Sequence, residues 1–311
     1  MTPSYLSRLL LLSSASFFLV QIVVGVLVSL GAPAAVRRAG SMRPQRAARF
    51  LLTLRLLPVA FAAKAVGLLC VPSYLRFEPR IGEEEVGFVC LAAAVLGAGI
   101  CAYAIARSVR ALIRCSRYVR ECGLESWVGG ERVWIVKQSA GFALAGIFKP
   151  RLLISEAALH LLSHDQLAVA LRHERAHRAS HDNLKRLLIL LAPSMFPGLK
   201  MLEQAWVKSA EWAADDRAAG GDAHRSAALA EALVSVARLQ TGVAMPRLVT
   251  SLVEADEDLS LRVDRLLESG PVDESKPRFG AIALWGAALL IFSTGISSLE
   301  SVHHLLERLL D

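Results

Sequence analysis

The sequence has few charged residues and no two cysteines with Cys-x-x-Cys spacing. Charged residues make up 20% of its 311 positions and hydrophobic residues 54%, whereas soluble domains usually carry a larger charged share. The cysteines include no Cys-x-x-Cys pair and their number, five, is odd, which argues against a disulfide framework and against a cysteine-ligated metal. The composition therefore points away from a soluble domain and towards a chain that enters a membrane.

Long apolar runs account for the excess of hydrophobic residues. They span residues 9–35, 50–74, 86–106 and 279–299. Each run is long enough to cross a bilayer as a helix, and the first is too long for the apolar part of a secretory signal, which has about 7–15 residues. Arg55 and Lys64 lie within the second run and should face other helices or an interface, because a charge in lipid is costly.

The basic residues are concentrated beside these runs. The net charge is +7, and clusters of arginines lie at positions 37–49 and 107–120, whereas glutamates dominate the segment 78–85. The positive-inside rule then places both arginine-rich segments in the cytoplasm. The lipid bilayer is the expected partner of these charges, and no nucleic-acid-binding motif is present.

These patterns predict a mainly α membrane protein. Four transmembrane helices are expected, with a cytoplasmic α+β domain inserted between the third and the fourth. Residues 1–106 would form a three-helix transmembrane region, residues 107–278 the cytoplasmic domain, and residues 279–311 the fourth helix with a short external tail.

Within the inserted region, short strands are predicted at residues 132–136, 142–148 and 152–155. Ser163 and Gln166 have the spacing of a capping box, which predicts that a helix begins there. This helix leads through an apolar segment into the motif His173-Glu174-Arg175-Ala176-His177.

The histidines of this motif are four residues apart, which puts both imidazoles on one helix face and allows them to bind a single zinc ion. Glu174, next to the first histidine, can accept a proton from a metal-bound water and act as the catalytic base. The motif predicts a metallopeptidase.

A catalytic zinc of this type needs a third protein ligand. Glu211 is the best candidate, and Asp215, four residues later on the same helix face, would accept a hydrogen bond from the other ring nitrogen of His173. The alternative is a solvated acidic patch in which Asp216 pairs with Arg217. His181 is a rival ligand, but a third histidine on the same straight helix diverges too far from the other two.

Four other histidines are isolated from the motif in the sequence: His160, His164, His303 and His304. A fifth apolar stretch, residues 187–202, contains Pro193 and Pro197. His177 and Glu211 flank this stretch and must reach one metal, so the chain must return to the same side of the membrane. A helical hairpin or re-entrant piece is therefore expected rather than a single crossing, with the prolines supplying the break.

Segments 146–155, 173–182 and 211–215, and more weakly 261–267, give the sequence a family likeness. It resembles the BlaR/MecR-type membrane zinc metallopeptidases, which are related to the HtpX and CAAX-protease group. The resemblance implies a zincin-like fold, one zinc ion per chain and endopeptidase activity near the membrane. It assigns the metal ligands and the base to His173, His177, Glu211 and Glu174.

The resemblance also implies that the strand before Lys149-Pro150 is a sheet edge that pairs with an extended substrate. His224 and Arg225 are the candidates for a cationic group that stabilises the oxyanion. No Ser-x-x-Lys motif follows the last apolar run, so the penicillin-binding sensor of the antibiotic receptors, and direct β-lactam sensing, are not expected.

The expected protein is therefore a zinc endopeptidase of the bacterial inner membrane that cleaves a cytoplasmic or membrane-proximal protein, such as a transcriptional repressor in signalling. Two alternatives stay open. One is an HtpX-like quality-control protease, and the other is a non-catalytic signalling or scaffold protein with a structural zinc site.

Overall fold

The computed structural model describes residues 5–77, 87–121, 123–136, 141–239, 249–251 and 259–268. The predicted fourth span at 279–299, together with His303 and His304, lies outside the described residues.

Three long apolar helical segments occupy the first three runs. They are α1 (Tyr5–Gly40), then α2 (Pro44–Ala65), which continues through a π-helical turn (Val66–Cys70) into α3 (Val71–Phe77), and α4 (Phe88–Glu121). By length and composition, all three are able to cross a membrane. The described part of the chain is thus mostly helical, with three candidate spans ahead of a small sheet region.

Small residues allow α1 and α4 to approach closely. The hydroxyl of Ser14 donates to the Ala94 carbonyl at 2.8 Å. A Cβ atom added at Gly97 would lie 2.6 Å from the Ser14 carbonyl oxygen, so this crossing requires glycine. Close backbone approach through small residues is typical of helix pairs in membranes.

A five-stranded sheet follows the helical segments. Its strands are β1 (Leu124–Val128), β2 (Glu131–Val136), β3 (Phe142–Ala145), β4 (Arg151–Ser155) and β5 (Val249–Ser251). The order across the sheet is β1-β2-β4-β3-β5, with β2 and β4 parallel and the other pairs antiparallel. The predicted strands correspond to β2, β3 and β4, whereas β1 and β5 were not predicted.

Strand β3 differs from the prediction in two respects. It ends at Ala145, because Gly146 adopts a φ of 105° that takes the chain out of the sheet. It is also not a sheet edge: β5 pairs with it, with Ala143 opposite Ser251 and Ala145 opposite Val249. The expectation of a free edge before Lys149-Pro150 is therefore wrong, since another segment of the same chain fills that position.

Six helices complete the described structure. They are α5 (Glu156–Leu161), α6 (His164–Ser180), α7 (Asp182–Leu191), α8 (Pro197–Ala219), α9 (Ala223–Leu239) and α10 (Leu259–Glu268). The predicted capping box at the start of α6 is confirmed: Ser163 accepts from the Gln166 amide, and the Gln166 side chain accepts from the Ser163 amide. Apolar side chains of the sheet, α6, α9 and α10 form one core around Phe142 and Leu233.

The apolar stretch 187–202 is broken, as the prolines predicted. Helix α7 ends at Leu191, Pro193 lies in the connection, and Pro197 is the first residue of α8. The first half of α8 packs against α1 and α2, where Leu199 and Trp206 share a core with Leu51. Helix α8 therefore runs without a break from the apolar helices to the region of Glu211.

Helix α4 also connects the two regions, because it continues past residue 106, where the domain boundary was expected. Ala111 and Cys115 on its second half pack with Leu153 of β4 and Leu187 of α7. The apolar helices and the sheet region are thus joined by shared hydrophobic cores.

Candidate metal centre

Helix α6 carries the first part of the site on its C-terminal half. His173 and Glu174 are 0% exposed and His177 is 1% exposed. The preceding residues Val169 and Ala170 are buried in the core under the sheet, which fixes the rotation of the helix. The apolar face of α6 therefore determines that both histidines point into the protein.

The ring nitrogens of both histidines meet a carboxylate from α8. The Nε2 atoms of His173 and His177 are 3.0 Å apart, and Glu211 Oε2 lies 3.5 Å from each of them. Glu211 is 6% exposed. Among the described residues, these three side chains form a buried group that could bind a metal ion.

The other ring nitrogen of each histidine contacts a second carboxylate. His173 Nδ1 lies 2.9 Å from Asp215 Oδ1, and His177 Nδ1 lies 2.8 Å from Asp182 Oδ2. A carboxylate at Nδ1 holds the proton on that nitrogen and leaves the lone pair of Nε2 for a metal. The structure thus places Asp215 where the sequence predicted it and adds Asp182, which sequence reasoning missed.

Asp182 reaches the site because α6 ends immediately before it. His181 has a φ of 56°, in the left-handed region that ends a helix, and Asp182 begins α7. His181 itself is exposed and lies at this junction, outside the metal-binding group. A signal in the sequence was available: an acidic residue, Asp182, lies five positions after the last histidine of the motif, His177.

A buried arginine contacts both carboxylates that α8 contributes. Arg262 on α10 bonds to Asp215 at 2.8 and 2.9 Å, and its Nη1 lies 3.4 Å from Glu211 Oε2. Arg186 on α7 lies 3.8 Å from the other oxygen of Glu211. Sequence reasoning missed both arginines, although Arg262 lies in the segment that carried the weakest part of the resemblance.

Glu174 is fully buried beside the histidines. Neither oxygen of its carboxylate has a hydrogen-bond partner within the described part of the chain. Burial raises the pKa of Glu174, and the neighbouring His173 and His177 act in the opposite direction. A buried carboxyl group without a partner costs free energy, and such groups are concentrated at functional sites.

The acidic groups also change the protonation of the histidines and of each other. Burial acts to lower the pKa of His177, but Glu211 and Asp182 outweigh it and raise that pKa to about 10. Burial acts to raise the pKa of Asp215, but Arg262 and His173 outweigh it and lower that pKa to about 2. The carboxylates around the histidines therefore favour positive charge at this site, which a metal ion could supply.

The alternative of a solvated acidic patch on α8 does not describe these residues, since Glu211 and Asp215 are buried. Asp216 forms an ion pair with Arg265 of α10, whereas Arg217 donates to the Ala176 carbonyl at 3.0 Å. Arg217 thus ties α8 to α6, the two helices that carry the metal-binding group.

The candidates for oxyanion stabilisation are not brought to the site. His224 is exposed, and its Nε2 lies 4.0 Å from Asp165 in the first turn of α6, at the opposite end of that helix from His177. Arg225 pairs with Asp222 at 3.4 Å. His160 and His164 are also exposed. The cations that the structure places beside the metal-binding group are Arg262 and, slightly farther from Glu211, Arg186.

The described residues define a largely helical protein with three candidate membrane spans and a buried group able to hold a metal ion. No protein-family model matches the sequence, and a search of the curated proteins returns no relative.

Proposed function

We propose that this protein is a membrane-embedded zinc endopeptidase with one zinc ion per chain. The observation that carries the proposal is the buried Glu174 carboxylate, which has no hydrogen-bond partner within the described residues and lies beside the His173, His177 and Glu211 group. In a peptidase of this type, that carboxylate takes the proton of the attacking water. The resemblance to the BlaR/MecR-type metallopeptidases agrees with this assignment.

The dimensions of the metal-binding group suit zinc. Zinc bonds to histidine nitrogen and carboxylate oxygen are about 2.0–2.2 Å long, and in a tetrahedral site this separates neighbouring ligand atoms by about 3.3–3.6 Å. The three ligand atoms are 3.0, 3.5 and 3.5 Å apart. Two imidazoles and one carboxylate are also a ligand set that catalytic zinc sites use, with a fourth position left for water.

Each residue then has a distinct task in peptide hydrolysis. His173, His177 and Glu211 would bind the metal, which lowers the pKa of a bound water and polarises the substrate carbonyl. Asp215 and Asp182 hold the Nδ1 protons of the histidines. Glu174 would accept the proton of the water and then donate it to the departing amine, and its raised pKa favours the first of these transfers.

The proposed substrate is a cytoplasmic or membrane-proximal protein. Two features support this location: the arginine-rich segments beside the candidate spans, and the packing of α8 against α1 and α2. Because β5 occupies the outer side of β3, a substrate that pairs with β3 must displace β5.

The proposal is tested with Glu174→Gln and, as a matched control, Glu156→Gln on the exposed first turn of α5. Purified wild-type protein should contain one zinc ion per chain and hydrolyse an unfolded probe protein such as β-casein. Glu174→Gln should keep the zinc and lose about 10²–10⁴-fold in rate, the usual contribution of a general base. Glu156→Gln should behave as wild type.

Three results would contradict the proposal: a wild-type protein without stoichiometric metal, unchanged hydrolysis by Glu174→Gln, or bound zinc with no hydrolysis by the wild type. The last result would favour the alternative of a structural zinc site in a signalling or scaffold protein.

The proposed orientation in the bacterial inner membrane has its own test. In a variant without the native cysteines, an impermeant thiol reagent added to intact cells should label Glu84→Cys and not Arg43→Cys. Labelling of Arg43→Cys alone would reverse the orientation and put the metal centre outside.

A further inference from the structure

Arginines from two of the apolar helices meet at the C-terminal end of α7. Arg55 of α2 donates from Nη2 to the Ala192 carbonyl at 2.9 Å and to the Ile189 carbonyl at 3.4 Å. Arg107 of α4 donates from Nη2 to the Leu190 carbonyl at 2.8 Å. The last carbonyls of a helix have no amide partner within the helix, so the arginines supply donors that α7 itself lacks.

Arg55 also contacts the connection to α8 and α8 itself. Its Nη2 atom donates to the Ser194 hydroxyl and lies 3.5 Å from Glu203 Oε2. One guanidinium from α2 thus joins the end of α7, the connection and the second turn of α8. These contacts all come from the single Nη2 group of Arg55, which has two N–H donors, so the end of α7, the connection and α8 meet at one point.

The two helices joined in this way carry half of the metal centre. Helix α7 begins with Asp182, which holds His177. Helix α8 carries Glu211 and Asp215, and Pro197 at its first position is its only proline. Glu211 lies eight residues after Glu203, about 12 Å along a helix, so a displacement at Glu203 moves the carboxylate that faces the histidines.

The burial of Arg55 distinguishes it from the other cation of the second apolar run. Arg55 is 1% exposed, whereas Lys64 on the same helix is exposed. A buried cation in an apolar segment is costly and is retained where its bonds fix an arrangement or serve a function.

We propose that Arg55, assisted by Arg107, is a positioning residue that couples the apolar helices to the metal centre. By holding the α7–α8 connection, it sets the distance of Glu211 and Asp182 from the histidines of α6. A shift of α2 relative to α4 would then change the affinity of the site for its metal. The inference rests on the metal site of the proposed function and not on peptidase activity.

The test uses the full chain in lipid nanodiscs and the variants Arg55→Met, Arg55→Lys, Arg107→Met and, as a control on the same helix, Lys64→Met. Two quantities are measured: backbone amide exchange of the metal-free protein, and the dissociation constant of Co²⁺ with its visible absorption spectrum. Co²⁺ serves as the probe because its spectrum reports the geometry of the ligands.

Arg55→Met should increase amide exchange at least tenfold in residues 187–203 and also in residues 205–215, and should weaken Co²⁺ binding at least tenfold with an altered spectrum. Arg107→Met should have a smaller effect in the same direction. Arg55→Lys keeps the charge and should fold more readily. Its amide exchange and its Co²⁺ dissociation constant should lie between those of Arg55→Met and the wild type. Lys64→Met should match the wild type.

The inference is overturned if exchange in Arg55→Met or Arg55→Lys rises only in residues 187–196 while Co²⁺ binding and its spectrum stay as in the wild type. If the wild-type protein binds no Co²⁺, the proposed function fails, and amide exchange in residues 205–215 alone decides this inference.

Discussion

The guanidinium of Arg262 on α10 forms a bidentate ion pair with the carboxylate of Asp215 on α8. Its Nε and Nη2 atoms lie 2.9 and 2.8 Å from the two carboxylate oxygens. Asp215 in turn contacts the Nδ1 atom of His173. Helix α10 thus holds the carboxylate that contacts His173, although Arg262 is 47 positions from Asp215 in the sequence. This makes α10 part of the candidate metal centre.

Arg262→Met should destabilise the metal-free protein by about 3–5 kcal/mol. It leaves the buried Asp215 carboxylate without its arginine and leaves Glu211 with only the more distant Arg186. Bound metal compensates part of that charge, so the loss should be smaller in the zinc-loaded protein. Denaturant unfolding of both forms measures the difference. Arg265→Met is the matched control: Arg265 pairs with the partly exposed Asp216, and its loss should cost about 1 kcal/mol or less. Equal effects of the two variants would contradict the role given to Arg262.

Asp182→Asn should weaken metal binding by about 10–100-fold, the usual effect of removing a carboxylate that orients a histidine ligand. Asparagine keeps the shape of the side chain but loses the charge that holds the Nδ1 proton of His177. Competition with a chromophoric chelator measures the affinity. Asp165→Asn, at an exposed position on the first turn of α6, is the control and should bind as the wild type does. An unchanged metal affinity in Asp182→Asn would contradict the role of Asp182 in orienting His177.

Metal binding should strengthen with rising pH. The pKa of His177 is raised to about 10 in the metal-free protein, so a proton must leave before the metal binds. The Nε2 atoms of the histidines are 3.0 Å apart and cannot both carry a proton, so one proton is displaced. The apparent affinity should therefore rise about tenfold per pH unit from pH 6 to 9. Titrations in non-chelating buffers measure it, and a flat profile would contradict the expectation.

The stability of the metal-free protein should also depend on pH, through His177 at high pH and Asp215 at low pH. Since the pKa of His177 is raised above its ordinary value of 6.5, its contribution is complete below pH 6.5 and is lost as the pH rises towards 10. Asp215, with its pKa lowered from 3.8 to about 2, contributes fully above pH 3.8 and loses this contribution as the pH falls towards 2. Thermal unfolding with chelator present should show the highest melting temperature between pH 3.8 and 6.5, where both contributions are complete. Added zinc should shift this maximum to higher pH.

The parts of the site that the sequence predicted follow from local helix geometry. His173 and His177, and likewise Glu211 and Asp215, are four residues apart, and a period of 3.6 residues places each pair on one face. The capping box of Ser163 is equally local. The three candidate spans followed from apolar length alone.

The parts that the sequence did not predict depend on long-range packing. Arg262 reaches Asp215 across 47 positions, which no helical period relates. Asp182 depends on the left-handed residue His181 that ends α6. Strand β5 has three residues, too few to show the alternation that marks a strand. Because β5 could not be foreseen, β3 was wrongly expected to form a free edge.

Ser163→Ala should lower the stability of α6 without changing metal binding at the other end of the helix. The Ser163 hydroxyl accepts a hydrogen bond from the Gln166 backbone amide, and the Gln166 side-chain oxygen accepts one from the Ser163 backbone amide. Loss of such a cap costs about 1 kcal/mol. The metal ligands lie more than two turns away on a segment held by its own buried contacts, so metal affinity should change less than about twofold. Ser163→Asp, which keeps an acceptor at the cap, should restore most of the stability. Denaturant unfolding and metal titration test both statements, and a large loss of metal affinity in Ser163→Ala alone would show that the start of α6 controls the position of its histidines.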